Sequence, residues 1–228
     1  MNIDTIEIWH GNINVADAAY RSYWRVLDSD EQARAGKFKN DSLRRRYVEV
    51  HGRLRKLLAL IVNEPPEKIN IKTAEHGKPY LVDTPELVFN LSHSADLMVI
   101  AVGRNCQLGV DIEICKAKSS FTGLVDKCFA KEEIAYWSKF PEAQQVIEFY
   151  RFWTRKEAFV KATGRGIALG LKQCVIDPEK PAGFLRVPTD CGLASMWHVQ
   201  DMDLGPGVCS AIVTDKDIVG IEFINLES

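Results

Sequence analysis

The sequence predicts an α+β fold arranged as a pseudo-dimer, two similar αβ halves spanning residues 1–107 and 108–228 with a ligand site in the cleft between them. Two observations predict it. Stretches with helical apolar spacing alternate with short β-branched runs, as in helices packed on antiparallel strands. Shifted by 111 residues, "MVIAVGRNCQLGVDIEI" (98–114) overlays "CSAIVTDKDIVGIEFIN" (209–225): Gly109 meets Gly220, Val110 meets Ile221 and Asp111 meets Glu222. The same shift lays an arginine-rich helix starting near 43 over one starting near 154. Two unrelated hairpins of β-rich composition are the alternative. If the halves are related, the cleft across their pseudo-twofold axis is the natural ligand site.

In chain order, residues 5–9 alternate like an edge strand, and 15–62 read mainly as helix, with Val50, Leu54, Leu57, Leu58 and Ile61 on one face. "NEPPEK" (63–68) stops that helix, and "HGKPYL" (76–81) is turn chemistry leading into an extended segment. "LVFNLSHSADLMVIAV" and "RNCQLGVDIEI" read as strands around tight turns. Helices resume with "KEEIAYWSKF" and "QQVIEFYRFWTRKEAFVKAT", which Gly164 and Gly166 end, and 183–225 returns to strands.

A chain of 228 residues is long enough to bury a substantial core. With 29 basic and 31 acidic residues, its formal charge of −2 gives no global attraction to nucleic acid or an anionic membrane, so any anion site is local. The six cysteines (Cys106, Cys115, Cys128, Cys174, Cys191, Cys209) form no C-x-x-C pair or zinc-finger spacing and read as free thiols of a reducing compartment. "MNIDTIEIWHGN" has no signal-peptide character, and runs such as "LLALIV" are far short of a membrane span, so a soluble cytoplasmic protein is expected.

The chemistry begins with "LGVDIEI" (108–114). On a strand, Val110, Ile112 and Ile114 share one face and Asp111 and Glu113 the other. Carboxylates about 7 Å apart on one face repel unless water or a cation lies between them. In "EFYRFWTRKEAFVKATGRG" (148–166), Phe149, Phe152, Phe159 and Val160 form a core-facing stripe, with Lys156 inside it and its ammonium expected at the edge. Trp153, Glu157 and Lys161 stack on an adjacent face, where a Glu-to-Lys pair is ordinarily a surface ion pair. If Glu157 faces Asp111 and Glu113, three carboxylates make an oxygen-rich site suited to Mg²⁺ and phosphate. Candidate phosphate holders are Arg44, Arg45, Arg46, Arg53 and Arg55, then Lys78 and His93, each with a plain alternative as solvated helix face or turn residue.

"GKPYL", "FNLSHS", "GVDIE", "CFAKEE" and "FWTRKEAFVKATGRG", in that order, resemble the signature set of the Sfp-type (surfactin-synthetase-activator type) 4′-phosphopantetheinyl transferases, over about residues 34–172. The resemblance implies the pseudo-dimeric fold of that family. It also implies a Mg²⁺-dependent reaction in which the phosphopantetheine arm of coenzyme A passes to a serine of an apo acyl or peptidyl carrier protein, releasing adenosine 3′,5′-bisphosphate. Carried over by position, Asp111, Glu113 and Glu157 are the metal-side carboxylates, and Lys161 and Asp111 lie beside the coenzyme A phosphates. Ser92, His93 and Lys78 match phosphate-contacting positions; Arg46 and Arg53 are the arginines favoured, with Arg34 and Lys37 as further candidates. Glu157 and Lys161 are the catalytic pair, Glu157 as metal ligand, general base or both. Lys116, Lys118, Lys127 and Lys131 are expected to meet the acidic carrier surface, and a monomer is favoured because one chain holds both sides of the cleft. A Mg²⁺-dependent nucleotide hydrolase and a purely structural cation site stay open; the first needs no carrier, and the second would not respond to coenzyme A.

Overall fold

The computed structural model describes residues 5–13, 17–116, 121–180, 183–217 and 220–226. The elements are β1 (Thr5–Asn12), α1 (Asp17–Val26), α2 (Ser29–Gly36), α3 (Asp41–Val62), β2 (Ile71–Thr73), β3 (Pro79–Leu81), β4 (Leu87–Ser94), β5 (Leu97–Arg104) and β6 (Leu108–Ile114). There follow α4 (Thr122–Cys128), α5 (Lys131–Trp137), α6 (Glu142–Thr163), β7 (Val175–Ile176), β8 (Phe184–Arg186), β9 (His198–Asp201), β10 (Val208–Thr214) and β11 (Gly220–Asn225). One sheet runs β11-β1-β5-β4 and a second β6-β10-β9, with β2/β3 and β7/β8 as small ribbons. Pairing is antiparallel except for β1 with β11. Lying between β11 and β5, β1 is interior rather than the edge strand its alternation predicts; β11 returns from the far end of the chain to cover it.

The core is layered. Leu54, Leu57 and Leu58 of α3 pack on Phe89, Met98 and Ile100, and Phe149, Phe152 and Phe159 of α6 pack on Ala211 and Val213. Ile6, Ile8, Val99 and Ala101 from the first sheet meet Val110, Ile112 and Ile212 from the second. The sheets therefore face each other, with one long helix outside each, a sandwich that leaves little apolar strand surface in water. No helix among the described residues is long and apolar enough to cross a membrane.

The two halves repeat, in a register different from the expected one. β6 pairs with β10 as β1 pairs with β5: Asp111 opposes Ala211 where Trp9 opposes Ile100, and Glu113 opposes Cys209 where Gly11 opposes Met98. The sheet counterpart of Asp111 is therefore Trp9, not Glu222, which lies on the added strand β11. The helices Asp41–Val62 and Glu142–Thr163, each of 22 residues, start 101 residues apart, while β4 and β9 start 111 apart; a longer connection after α6 absorbs the difference. Both helices end on a left-handed residue, Asn63 and Gly164.

Each long helix also carries a buried cation at the same place. Arg55 donates to Glu31 at 2.5 Å, to Asp28, and to the carbonyls of Ile69 (2.8 Å) and Pro66 (3.3 Å). Lys156, 101 residues on, contacts Glu133 at 2.7 Å and donates to the carbonyls of Leu171 (2.8 Å) and Cys174 (2.7 Å). Both are essentially inaccessible to solvent. Arg55 is thus removed from the candidate phosphate ligands. Lys156 does not reach the surface as expected, because a full set of internal acceptors holds its ammonium where bare burial would be prohibitive.

Candidate active site

The site is the open edge of β6. In an antiparallel strand at a sheet edge, alternate N–H and C=O groups point away from the partner and need other partners if buried. Four residues provide them. Asn90 Oδ1 accepts from Val110 N at 2.9 Å and Ser94 Oγ from Ile114 N at 3.2 Å. Lys78 Nζ donates to Leu108 O at 3.0 Å, and Lys161 Nζ to Val110 O at 3.2 Å. Strand β4 from the first half and helix α6 from the second thus converge on one strand.

What lets α6 come so near is Gly109. A Cβ there would lie 2.0 Å from Ala158 O and 2.4 Å from Ala162 N, so no other residue fits without moving the helix. Lys161 then reaches Asp111 Oδ1 at 2.7 Å and Ser92 Oγ at 2.8 Å, and Ser92 Oγ itself donates to Asp111 Oδ1 at 2.8 Å. The ammonium of Lys161 therefore leaves Glu157, its neighbour one turn away, for the strand. A cleft of about 260 Å³ opens beside this network between His76, Lys78, Asn90, Glu157 and Lys161.

The expected carboxylate triad is not assembled as a closed set: among the described residues no three His, Cys, Asp or Glu side chains stand close enough to hold a metal ion by themselves. Lys161 and Ser92 occupy Asp111 Oδ1, and Ser94 Oγ donates to Glu113 at 2.7 Å. Glu157 nonetheless feels the other two acids. Burial, then the negative charge of Asp111 and, more weakly, that of Glu113 push the Glu157 carboxyl up, with Lys161 opposing. Asp111 Oδ2 is buried and, among the described residues, without a hydrogen-bond partner. An orphaned anionic oxygen beside a carboxyl that resists ionisation is what a divalent cation relieves, so this donor set fits one.

The other predicted residues divide. His93 lies on β4 next to Ser92, and partial desolvation with the charges of Arg46, Lys161 and His51 holds it below the usual imidazole value, so it is neutral at pH 7 rather than cationic. Arg46 is nearby, paired with Asp96 at 3.0 Å. Arg53 lies over Gly11, two strands from His93 along the row Gly11, Met98, His93; it pairs with the buried Glu49 at 2.7 Å. Its Nε and Nη1 are buried without hydrogen-bond partners among the described residues, spare donors for an anion. Lys78 is committed to Leu108 O and, at 2.6 Å, to Ala162 O, and burial lowers its pKa to about 8. Arg44 and Arg45 pair with Asp41, and Arg45 also with Asp17, on the exposed helix start. Arg34 stacks on Tyr47, itself stacked on His51, and Lys37 is exposed. Lys116, Lys127 and Lys131 are exposed; Lys118 lies outside the described residues. Asn90 and Ser94 are what sequence reasoning missed, although the polar alternation Asn90, Ser92, Ser94 in a strand was a signal for them.

The repeat supplies no second site. A groove lined by Lys56, Ala59, Leu60 and Asn63 sits where Glu157, Val160, Lys161 and Gly164 line the cleft. There Lys56 replaces Glu157 and Leu60 replaces Lys161, while Trp9 and Gly11 stand for Asp111 and Glu113. Every acid of the site is missing from its copy.

Two family models match the chain: "4′-phosphopantetheinyl transferase, N-terminal" over residues 14–105 and "4′-phosphopantetheinyl transferase superfamily" over 107–213. Among curated relatives, the 4′-phosphopantetheinyl transferase HetI of Nostoc sp. (strain PCC 7120) is 33% identical, over 81% of this chain and 80% of its own length. The 4′-phosphopantetheinyl transferase psf-1 of Bacillus pumilus is 33% identical over 67% of this chain and 63% of its own. The mouse L-aminoadipate-semialdehyde dehydrogenase-phosphopantetheinyl transferase is 32% identical over 67% of this chain and 53% of its own. With the cleft at the edge of β6, these matches lead to one conclusion: the chain belongs to the 4′-phosphopantetheinyl transferase superfamily and is an enzyme of that class.

Proposed function

We propose that this chain is a transferase of the Sfp type that moves the 4′-phosphopantetheine arm of coenzyme A onto a serine hydroxyl of apo acyl or peptidyl carrier proteins, releasing adenosine 3′,5′-bisphosphate. The observation that carries the reading is the Asp111, Ser92 and Lys161 network at the open edge of β6, beside a cleft that residues 1–107 and 108–228 build together. The serine oxygen attacks the β-phosphorus while negative charge collects on the departing α-phosphate, so positioning and charge neutralisation dominate. Lys161 stands where that charge develops, neutral His93 offers a hydrogen bond to the phosphates, and Ser92 contacts them when its hydroxyl turns from Asp111. The raised carboxyl of Glu157 makes it a better proton acceptor than an ordinary glutamate, suited to take the serine proton directly or through water.

Asp111 with its orphaned oxygen, Glu113 and Glu157 would hold Mg²⁺. Bound there, the ion would neutralise pyrophosphate charge. Arg46 and the spare donors of Arg53 serve the more distant phosphate of coenzyme A. The exposed Lys116, Lys127 and Lys131 face an acidic carrier domain, and a cytoplasmic monomer suffices because one chain furnishes both walls. The test is intact-protein mass spectrometry of a purified apo carrier protein incubated with this protein, coenzyme A and Mg²⁺. The carrier should gain one phosphopantetheine, and EDTA or Asp111→Ala should abolish the gain. Failure with fatty-acid, polyketide and peptide carriers alike would overturn the reading.

A further inference from the structure

Just beyond the catalytic strand, Cys115 Sγ lies 3.1 Å from Cys209 Sγ. Two sulfurs at that separation are already in contact and about 1 Å from bonding distance. The pair is diagonal across β6 and β10: Cys209 opposes Glu113, and Cys115 donates its backbone N–H to Gly207 O at 2.8 Å. Both side chains therefore leave the strands on one face. Gly205 and Gly207, with φ of 116° and 72°, sit in the turn before β10, backbone that can yield when the sulfurs close. Cys115 is half-buried, whereas Cys209 is 6% exposed and packed in the core under α6. Nothing in the transfer chemistry uses either thiol.

We infer that Cys115 and Cys209 form a redox-convertible dithiol, an oxidation site that closes to a disulfide and locks the end of β6 to β10. The oxidant is a low-molecular-weight disulfide such as oxidised glutathione. The more accessible Cys115 sulfur attacks one glutathione sulfur, breaking that S–S bond and expelling one glutathione thiol. Cys209 then attacks the Cys115 sulfur of the mixed disulfide and expels the second. Two electrons pass to the glutathione disulfide, and the two thiol protons end on the two glutathione thiols. The other four cysteines have no sulfur partner within contact among the described residues and stay reduced.

The test uses the full, reduced and desalted chain treated with oxidised glutathione at mildly alkaline pH. Intact mass should fall by about 2 Da, and denaturing alkylation should then label four of the six cysteines. Peptide mapping should join the peptides carrying Cys115 and Cys209, and dithiothreitol should restore six labels. Cys209→Ser should stop at a stable glutathione adduct on Cys115, and Cys115→Ser should give neither product. Six labelled cysteines after prolonged oxidation, or a disulfide joining any other pair, would overturn the inference. The result does not depend on the transferase reading.

Discussion

Replacing Gly109 by alanine tests the central geometric argument. The added Cβ would sit 2.0 Å from Ala158 O, 2.4 Å from Ala162 N and 2.9 Å from Ala162 Cα. Ordinary contacts to a methyl group are about 3.5 Å or longer. All three obstacles are helix backbone, so no side chain can turn aside; α6 must withdraw from β6 by about 1 Å or more. Overpacking of this kind costs about 1–3 kcal/mol, and the depth of the overlap places this case near the top. For a chain of this size that corresponds to a melting temperature lower by roughly 6–12 °C. The same withdrawal carries Glu157 and Lys161 away from Asp111, and if both act as proposed, a displacement of about 1 Å at a reacting group costs on the order of 100-fold in rate. Urea denaturation and a carrier-modification assay measure the two effects. An alanine variant with stability within about 1 kcal/mol of the parent and turnover within about threefold would refute the claim that Gly109 sets the site.

Glu157→Gln should lose most turnover while coenzyme A affinity, by titration calorimetry, stays within a few-fold; Arg53→Ala should do the reverse, and near-normal turnover in the glutamine variant would remove Glu157 from the chemistry. Lys156→Met leaves Glu133 buried with no cation and two carbonyls without their donor, which should destabilise the chain by about 3–5 kcal/mol in urea; a loss under about 1 kcal/mol would contradict a structural role for the buried pair. Lys78 titrates near 8 when folded and near 10.5 when unfolded, so between these values the unfolded chain binds more protons. Stability of the parent relative to Lys78→Met should accordingly rise with pH across that window and be flat below it. A pH-independent difference would show that the ammonium is not held in the desolvated position.

What is periodic or local could be read from the order of residues. Alternation in "LGVDIEI" placed Asp111 and Glu113 on the face opposite Val110 and Ile112, and the stripe of Phe149, Phe152 and Phe159 marked the buried side of α6. Such features are legible because a side chain's direction follows from its position in a helix or strand. What depends on which elements meet came from the folded arrangement alone. Lys156 and Arg55 look like surface cations until Glu133 and Glu31 arrive from preceding helices to bury them. Lys161 looks like the partner of Glu157 until Gly109 admits the helix close enough for Asp111 to take it. Lys78 reads from the sequence as a phosphate ligand, and the fold adds that its ammonium, at the edge of the cleft, also holds Leu108 O and Ala162 O. The repeat shows the same division: similar strands betrayed it, but β11 resembles β6 in sequence while β1 holds the corresponding place in the sheet. A strand's composition records the environment it packs in, whereas its neighbour is chosen by how the chain closes, which local sequence does not encode.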